Sequence, residues 1–428
     1  MPKRIVKRVR AMSADNLGKH FVVVHRWGDE YAKYDDYIDH GENRVSYIST
    51  VVGRRSVPSG AVAVVEVDRT DDVGVLRTAV TALAERFGPP DALVAFKEGD
   101  HLAATALRQE LDLPGHRPED LACFLDKFLM LQAQEAAGVR IPAYAAADSA
   151  ADVLAFGAEH GWPVVVKPRR GSASQGVRVV GGPEEAAALT VGLPSVVEAF
   201  LAHQTYHVDG VFDGARLAVW RASRYVNSCL AFTTGAPLGS VELDDAPLLA
   251  HIAAFTERAL AALSTDVYAF HLELFIDDPG DGSEPCITFL EVGRRVGGAE
   301  IPFLWREVHG IDLLAVEWAL ESGAPPVLPS PQDQGRVGGW LLMPLPAGMS
   351  RPCRITRVTT GDAAVPPYAQ RVPAVGDVIP AADAYYEHVG GRFRFVGRTT
   401  AEVEAAIRAT AEGFDLRAEA VTQPVGTP

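Results

Sequence analysis

The chain has 428 residues, 48% hydrophobic and 22% charged, a balance that supplies large apolar cores and excludes disorder as its main theme. At about 150 residues per domain, that length suggests roughly three domains. Forty Lys and Arg against 55 Asp and Glu give a net charge of −15, which argues against nucleic acid as a partner.

No apolar run approaches the ~20 residues that span a bilayer, so no membrane partner is expected. Residues 1–10 hold five basic side chains with no apolar stretch behind them, and so read as a solvated tail rather than a secretory signal. Cys123, Cys229, Cys286 and Cys353 form no CxxC pair. This spacing argues against a zinc site and a disulfide framework, and fits a cytoplasmic protein.

Up to about residue 115, strands and helices alternate. Residues 21–24 and 61–65 read as buried strands, 76–87 as an amphipathic helix, 92–96 as a third strand and 101–111 as a second helix. Such alternation predicts a parallel sheet and an α/β class. No GxGxxG follows any strand, so a dinucleotide site is not supported. After Leu113-Pro-Gly115 one long helix is expected over residues 118–137, with Leu121, Phe124, Leu125 and Phe128 at helical spacing.

A second unit begins near Val139. Ser149 with Asp152 predicts a helix start, and Gly161 its end. Residues 163–167 and 177–180 read as strands around the loop 169–176, and 195–200 as another strand. Asp213-Gly214 predicts a hairpin, and residues 248–263 a helix. Residues 325–335 read as a linker. Beyond them come short strands, then a helix from Thr400 with a Thr399…Glu402 capping box.

Four features could carry chemistry. Lys167 ends an apolar strand, where an ammonium either meets an anion or snorkels to water. Gly171-Ser-Ala-Ser-Gln-Gly176 follows it: small residues let backbone N–H groups approach phosphate oxygens, though a plain hairpin loop would look alike. Val177 and Arg178 stand where a P-loop needs Lys and Ser or Thr. In Phe270-His-Leu-Glu273 the alternation puts His271 and Glu273 on one strand face, and a hairpin could bring Glu291 beside Glu273. Two carboxylates there either share a hard divalent cation or are separately solvated. Gly293-Arg-Arg-Val-Gly-Gly298 could clamp phosphate or carboxylate oxygens, or be an ordinary basic loop. HExxH, GxSxG and a Cys–His signature are absent.

In order and spacing these segments resemble the ATP-grasp superfamily over nearly the whole chain, and within it the amino-acid ligases that make dipeptides. The likeness rests on Asp126-Lys127, Val164-Val-Val-Lys-Pro168, Val197-Glu-Ala-Phe-Leu201, Tyr206-His-Val-Asp209, Phe270-His-Leu-Glu273 and Glu291-Val-Gly-Arg-Arg-Val-Gly-Gly298. It implies an ATP-grasp fold with a Rossmann-like pre-ATP-grasp domain (1–116), a linker helix (117–138), a lid subdomain (139–200), a large subdomain (201–330) and a small strand-rich C-terminal domain (331–428).

The resemblance further implies that Lys127 and Lys167 contact ATP phosphates. Glu198, Ala199, Phe200 and Leu201 would read the adenine edge, and Gly171, Ser172, Ser174 and Gly176 belong to a flap. Glu273 and Glu291 would hold Mg²⁺ or Mn²⁺, and Arg295 would stabilise the transferring phosphoryl group. His271, Arg294, Gly297 and Gly298 would face the substrates. The implied activity joins a small-molecule carboxylate to an amine through an acyl phosphate, and a homodimer is the expectation by analogy. An ATP-grasp carboxylase, a ligase with a thiol or carrier acceptor, and a nucleotide sensor without turnover are the alternatives. Gly293 replaces a frequent family Asn, Thr205 replaces a ribose-binding Glu, and the flap has only two glycines.

Overall fold

A computed structural model describes residues 18–29, 31–172, 174–278, 283–328, 335–346, 348–361, 365–380 and 389–421. The basic run at 1–10, Ala173 of the glycine loop and positions 329–334 of the expected linker lie outside the described residues. Contacts divide the chain into two units. One comprises Met1–Ala122, Arg294–Val296 and Asp312–Pro329; the other comprises Cys123–Gly293, Gly297–Ile311 and Ser330–Pro428.

In the first unit β1 (His20–His25), β2 (Arg44–Ser49), β3 (Ala63–Glu66) and β4 (Ala92–Ala95) form a parallel sheet in the order β3-β2-β1-β4. β3, at one edge of the sheet, is half-buried rather than buried. β2 was not legible in the sequence. The helix Val73–Phe87 starts on Asp72, whose carboxylate accepts from the N–H groups of Gly74 and Val75. It buries Leu76, Ala79, Val80 and Leu83, a 3–4 spacing, in a core with Val22, Val24 and Leu93.

The expected long helix is two, Pro118–Leu125 and, within the second unit, Lys127–Ala136. Asp126 breaks it: its backbone is extended, and its carboxylate caps the N–H groups of Phe128 and Leu129. Next, β5 (Tyr144–Ala147), β6 (Val164–Pro168), β7 (Arg178–Val180) and β8 (Ser195–Ala199) form an antiparallel sheet in the order β5-β8-β6-β7. Between β5 and β6 the helix Ala150–His160 opens with the expected Ser149–Asp152 capping box.

β9 (Gln204–Phe212) and β10 (Leu217–Tyr225) are joined by the Asp213-Gly214 turn. With β11 (Leu238–Glu242), β12 (Tyr268–Asp277), β13 (Cys286–Gly293) and β14 (Val337–Met343) they belong to one sheet of eight strands. β15 (Cys353–Thr359), β16 (Ala369–Arg371), β17 (Val378–Ile379), β18 (Gly391–Gly397) and β19 (Asp415–Ala420) follow. The large sheet runs β13-β12-β9-β10-β11-β14-β18-β16, so strands from beyond residue 331 hydrogen-bond into the sheet that starts at β9. Its core gathers Val208, Phe212, Phe270, Leu272, Leu274 and Phe289 under the helix Ala246–Ala261.

The last helix, Thr400–Gly413, forms half of its expected capping box. Thr399 accepts from the N–H of Glu402, but the Glu402 carboxylate takes the N–H of Arg398 instead. Among the described residues no helix is long and apolar enough to cross a membrane.

Candidate active site

Within the second unit β6, β8, β12 and β13 line a cavity of about 440 Å³, in the size range of small-molecule sites. Val165, Val179, Phe200, Leu201, Phe275 and Leu290 give it apolar walls, and Lys127, Lys167, Glu198, Glu273 and Glu291 its charges. Of the residues singled out in the sequence, Gly171, Ser172, Ser174 and Ala199 also line it. Thr205 lines it too, in register with Phe275.

Lys167 is buried, and its Nζ donates to Glu198 Oε2 at 2.8 Å, which answers how an ammonium survives at that strand end. Lys127 occupies the first turn after the Asp126 cap; its Nζ donates to the carbonyl of Gly171 at 2.8 Å and lies 3.3 Å from Glu291 Oε2. Asp126 also binds Arg169 through two hydrogen bonds of 2.9 and 2.8 Å. One aspartate thus ties the helix that carries Lys127 to the loop that begins at Arg169. Ser174 has a φ of 57° and Gly176 one of 73°; Gly176 belongs to that turn, where an added Cβ would lie 2.8 Å from Pro168 Cγ, and does not line the cavity.

Glu273 and Glu291 are direct cross-strand partners in the β12–β13 ladder, where facing Cβ atoms lie roughly 5 Å apart. Glu273 accepts from the Tyr225 hydroxyl at 2.7 Å. Burial alone would raise its pKa, but His271 and Tyr225 outweigh that and bring it down to about 2. An ionised carboxylate facing a second one is a hard oxygen donor pair, and these residues fit a divalent cation of the Mg²⁺ class. Nearby Cys229 stays a thiol, because burial and the charge of Glu273 push its pKa well up.

Behind Glu273 lies a buried chain of polar groups that sequence reasoning missed. Asp209 Oδ1 meets His271 Nδ1 at 2.8 Å, Asp209 Oδ2 meets His207 Nδ1 at 2.6 Å, and His207 Nε2 meets Ser240 Oγ at 2.6 Å. Burial opposes ionisation of Asp209, yet the two imidazoles hold it well below the usual carboxylate range. Asp209 stood in the Tyr206-His-Val-Asp209 segment without a role; Tyr225 gave no signal at all.

His271 shares its strand face with Glu273 but does not line the cavity. Gly297 packs against Asp209 and His271. Arg294 and Arg295 fall in the first unit, where Arg294 is buried and Arg295 Nε donates to Glu98 Oε2 at 2.7 Å. Gly298 accepts the N–H of Ile301 at the start of a helix.

No family model matches the chain. An uncharacterized protein y4rH of Sinorhizobium fredii (strain NBRC 101917 / NGR234) is 42% identical over 71 residues, which are 17% of this chain and 15% of that protein. The chain therefore spans only a small part of that relative's length. Among solved structures, the L-amino acid ligase from Bacillus licheniformis superposes with a TM-score of 0.70 at 16% identity, over 94% of this chain and 99% of that one. Phosphoribosylglycinamide synthetase from Anaerococcus prevotii gives 0.64 at 14% identity, over 93% and 99%. Biotin carboxylase from Campylobacter jejuni, solved as a β,γ-ATP complex, gives 0.65 at 15% over 94% and 92%. The chain has the ATP-grasp fold, as the sequence motifs suggest.

Proposed function

We propose that the protein is an ATP-dependent carboxylate–amine ligase of the cytoplasm, forming an amide bond between small molecules with release of ADP and phosphate. The carrying observation is one cavity in which two lysines, Gly171, Ser172 and Ser174 of the glycine loop and the facing pair Glu273 and Glu291 meet apolar walls suited to a flat ring. Structures of similar fold include an L-amino acid ligase and a phosphoribosylglycinamide synthetase, which supports this reading.

In this reading Phe200, Leu201 and Phe275 hold the adenine, and Glu198 with the backbone of residues 199–201 reads its edge. Lys167 and Lys127 neutralise phosphate oxygens, and the loop closes over them. Glu273 and Glu291 hold the metal, which supplies positive charge to the phosphate oxygens when bound. A substrate carboxylate oxygen attacks the γ-phosphorus as the bond to the ADP oxygen breaks. The amine nitrogen then attacks the acyl carbon, the carbon–oxygen bond to phosphate breaks, and the nitrogen gives up a proton. Arg295 stabilises charge on the phosphoryl group, which requires its exchange from Glu98.

Hydroxylamine tests the reaction class. As a small amine it should trap the acyl phosphate as a hydroxamate, with ADP and phosphate appearing in step and Arg295→Ala abolishing the product. Release of AMP and pyrophosphate would mean an adenylate and would overturn the proposal. Gly293 and Thr205 favour one second reading, a nucleotide sensor without turnover; bound ATP with no hydroxamate from a broad panel of carboxylates would select it.

A further inference from the structure

β10 pairs with β9 from Leu217 to Arg224, but with β11 only at Ser223, Arg224 and Tyr225. β11 ends at Glu242, and the chain turns into the helix Ala246–Ala261, which Asp245 caps. The first half of β10 therefore keeps one open edge. Leu243 N–H still donates to the Ala222 carbonyl at 2.9 Å, so the backbone groups of Ala222 point away from β9. Alternate residues of an antiparallel strand point the same way, which directs the N–H and carbonyl of Trp220 out of that edge. Further along it, Glu257 takes the N–H of Leu217 at 3.1 Å. Between these two points Trp220 has no strand on that side among the described residues.

The edge opens on a cavity of about 240 Å³ within the second unit, which shares no lining residue with the cavity described above. At ~30 Å³ per water it holds about eight water volumes, room for one apolar residue rather than a long chain. Leu217, Leu243, Leu249, Trp305 and Ile311 give it apolar walls. Two polar side chains also line it. Arg221 is half-buried and forms no hydrogen bond or ion pair among the described residues. His309, 3% exposed, ends the helix Ile301–His309. Glu242 accepts on both oxygens, from His309 Nε2 at 2.7 Å and from the Gly338 N–H at 2.6 Å. That leaves His309 Nδ1 as an acceptor, buried and without a hydrogen-bond partner.

Apolar walls alone would take any oily molecule. The open backbone groups of Trp220 and the unpaired guanidinium narrow the choice, since a ligand that covers them without pairing them loses their hydration. We infer that this cavity binds a short peptide or N-acyl amino acid ending in an apolar residue. The ligand amide pairs with Trp220 as a one-residue added strand, its side chain fills the apolar space and its carboxylate meets Arg221. His309 Nδ1 accepts a further N–H of the ligand. The inference is independent of the ligase reading, because it uses none of the residues that carry it.

The test titrates N-acetyl-L-leucine into the full chain by calorimetry, with and without saturating ATP. A Kd on the order of 1 mM is expected for so small a ligand, and ATP should not change it. Arg221→Gln should weaken binding about tenfold, and N-acetyl-L-leucinamide, which lacks the carboxylate, should bind both proteins equally weakly. Methylating the amide nitrogen should weaken binding severalfold by removing the N–H that meets Trp220. Ala218→Leu, which fills the cavity, should abolish binding. L-Alanyl-L-leucine binding more tightly than the N-acetyl ligand would mark peptides as the natural class, with the ammonium on His309; weaker binding would mark N-acyl amino acids. If Ala218→Leu fails to fold, Arg221→Gln and the leucinamide decide. No binding at about 20 mM, binding indifferent to Arg221→Gln, or binding that ATP displaces would overturn the inference.

Discussion

Asp126 does two things at once, and substitutions can separate them. Its carboxylate caps the helix Lys127–Ala136 and holds Arg169 at the base of the glycine loop. Asp126→Ala removes both. Loss of the cap costs about 1 kcal/mol. The ion pair lies between the exposed and buried limits, since the Asp126 side chain is 8% exposed and that of Arg169 28%. Arg169 can turn to water once released, so the pair adds about 1 kcal/mol rather than the several lost from a fully buried pair. Asp126→Asn keeps an oxygen for the cap and should cost about half the total of ~2 kcal/mol. The readout is hydrogen exchange at Phe128 and Leu129, the two capped amides, together with ATP affinity. Exchange should accelerate strongly in Asp126→Ala and little in Asp126→Asn, and ATP should weaken about tenfold in Asp126→Ala, because Lys127 loses its fixed first turn. A double-mutant cycle with Arg169→Ala should return a coupling of about 1 kcal/mol. Equal exchange in the two Asp126 variants, or a coupling below ~0.3 kcal/mol, would refute the reasoning.

Glu291→Gln should abolish metal-dependent nucleotide binding while moving stability by no more than about 0.5 kcal/mol, since its side chain is 34% exposed; calorimetry with and without Mg²⁺ checks both. Lys167→Met should destabilise by about 3–5 kcal/mol by stranding buried Glu198, and adding Glu198→Gln should restore most of that without restoring ATP affinity. Acid should weaken the first unit. Burial brings His25 and His101 down to about 4, so between the unfolded value near 6.5 and the folded value the unfolded chain binds protons that the folded one does not. Stability is then full above pH ~6.5 and falls toward pH ~4, by up to about 3 kcal/mol per histidine. Denaturant midpoints across that window should flatten in His25→Gln, and an unchanged slope would contradict the assignment.

Periodicity revealed most of the elements, and its failures have physical causes. The break at Asp126 was hidden because Phe124, Leu125 and Phe128 keep helical spacing across it; only the competition of a carboxylate for the next two N–H groups ends the first helix. β2 was missed because Arg44, Ser46 and Ser49 interrupt its apolar run. In a sheet covered on both faces polar residues are tolerated when satisfied, and Ser46 is, by His20 Nε2 at 3.0 Å.

At the site, what the sequence disclosed was local. Glu273 and Glu291 belong to one hairpin, so alternation and a turn sufficed to pair them. Asp209 and Tyr225 reach His271 and Glu273 from strands whose register no short window contains, and the β9–β10 ladder shifts between Leu217 and Val219 on the way. Arg295 shows the same limit from the other side: its loop looked ready for an anion, yet its partner Glu98 lies 197 residues away. A residue type at a strand end therefore names a candidate ligand, while its ionisation state is set by groups the chain brings from elsewhere. Glu273 illustrates the point: its burial favours the neutral acid, and His271 on its own strand, Tyr225 from β10 and His207 from β9 bring its pKa down and keep it the anion that a cation site needs.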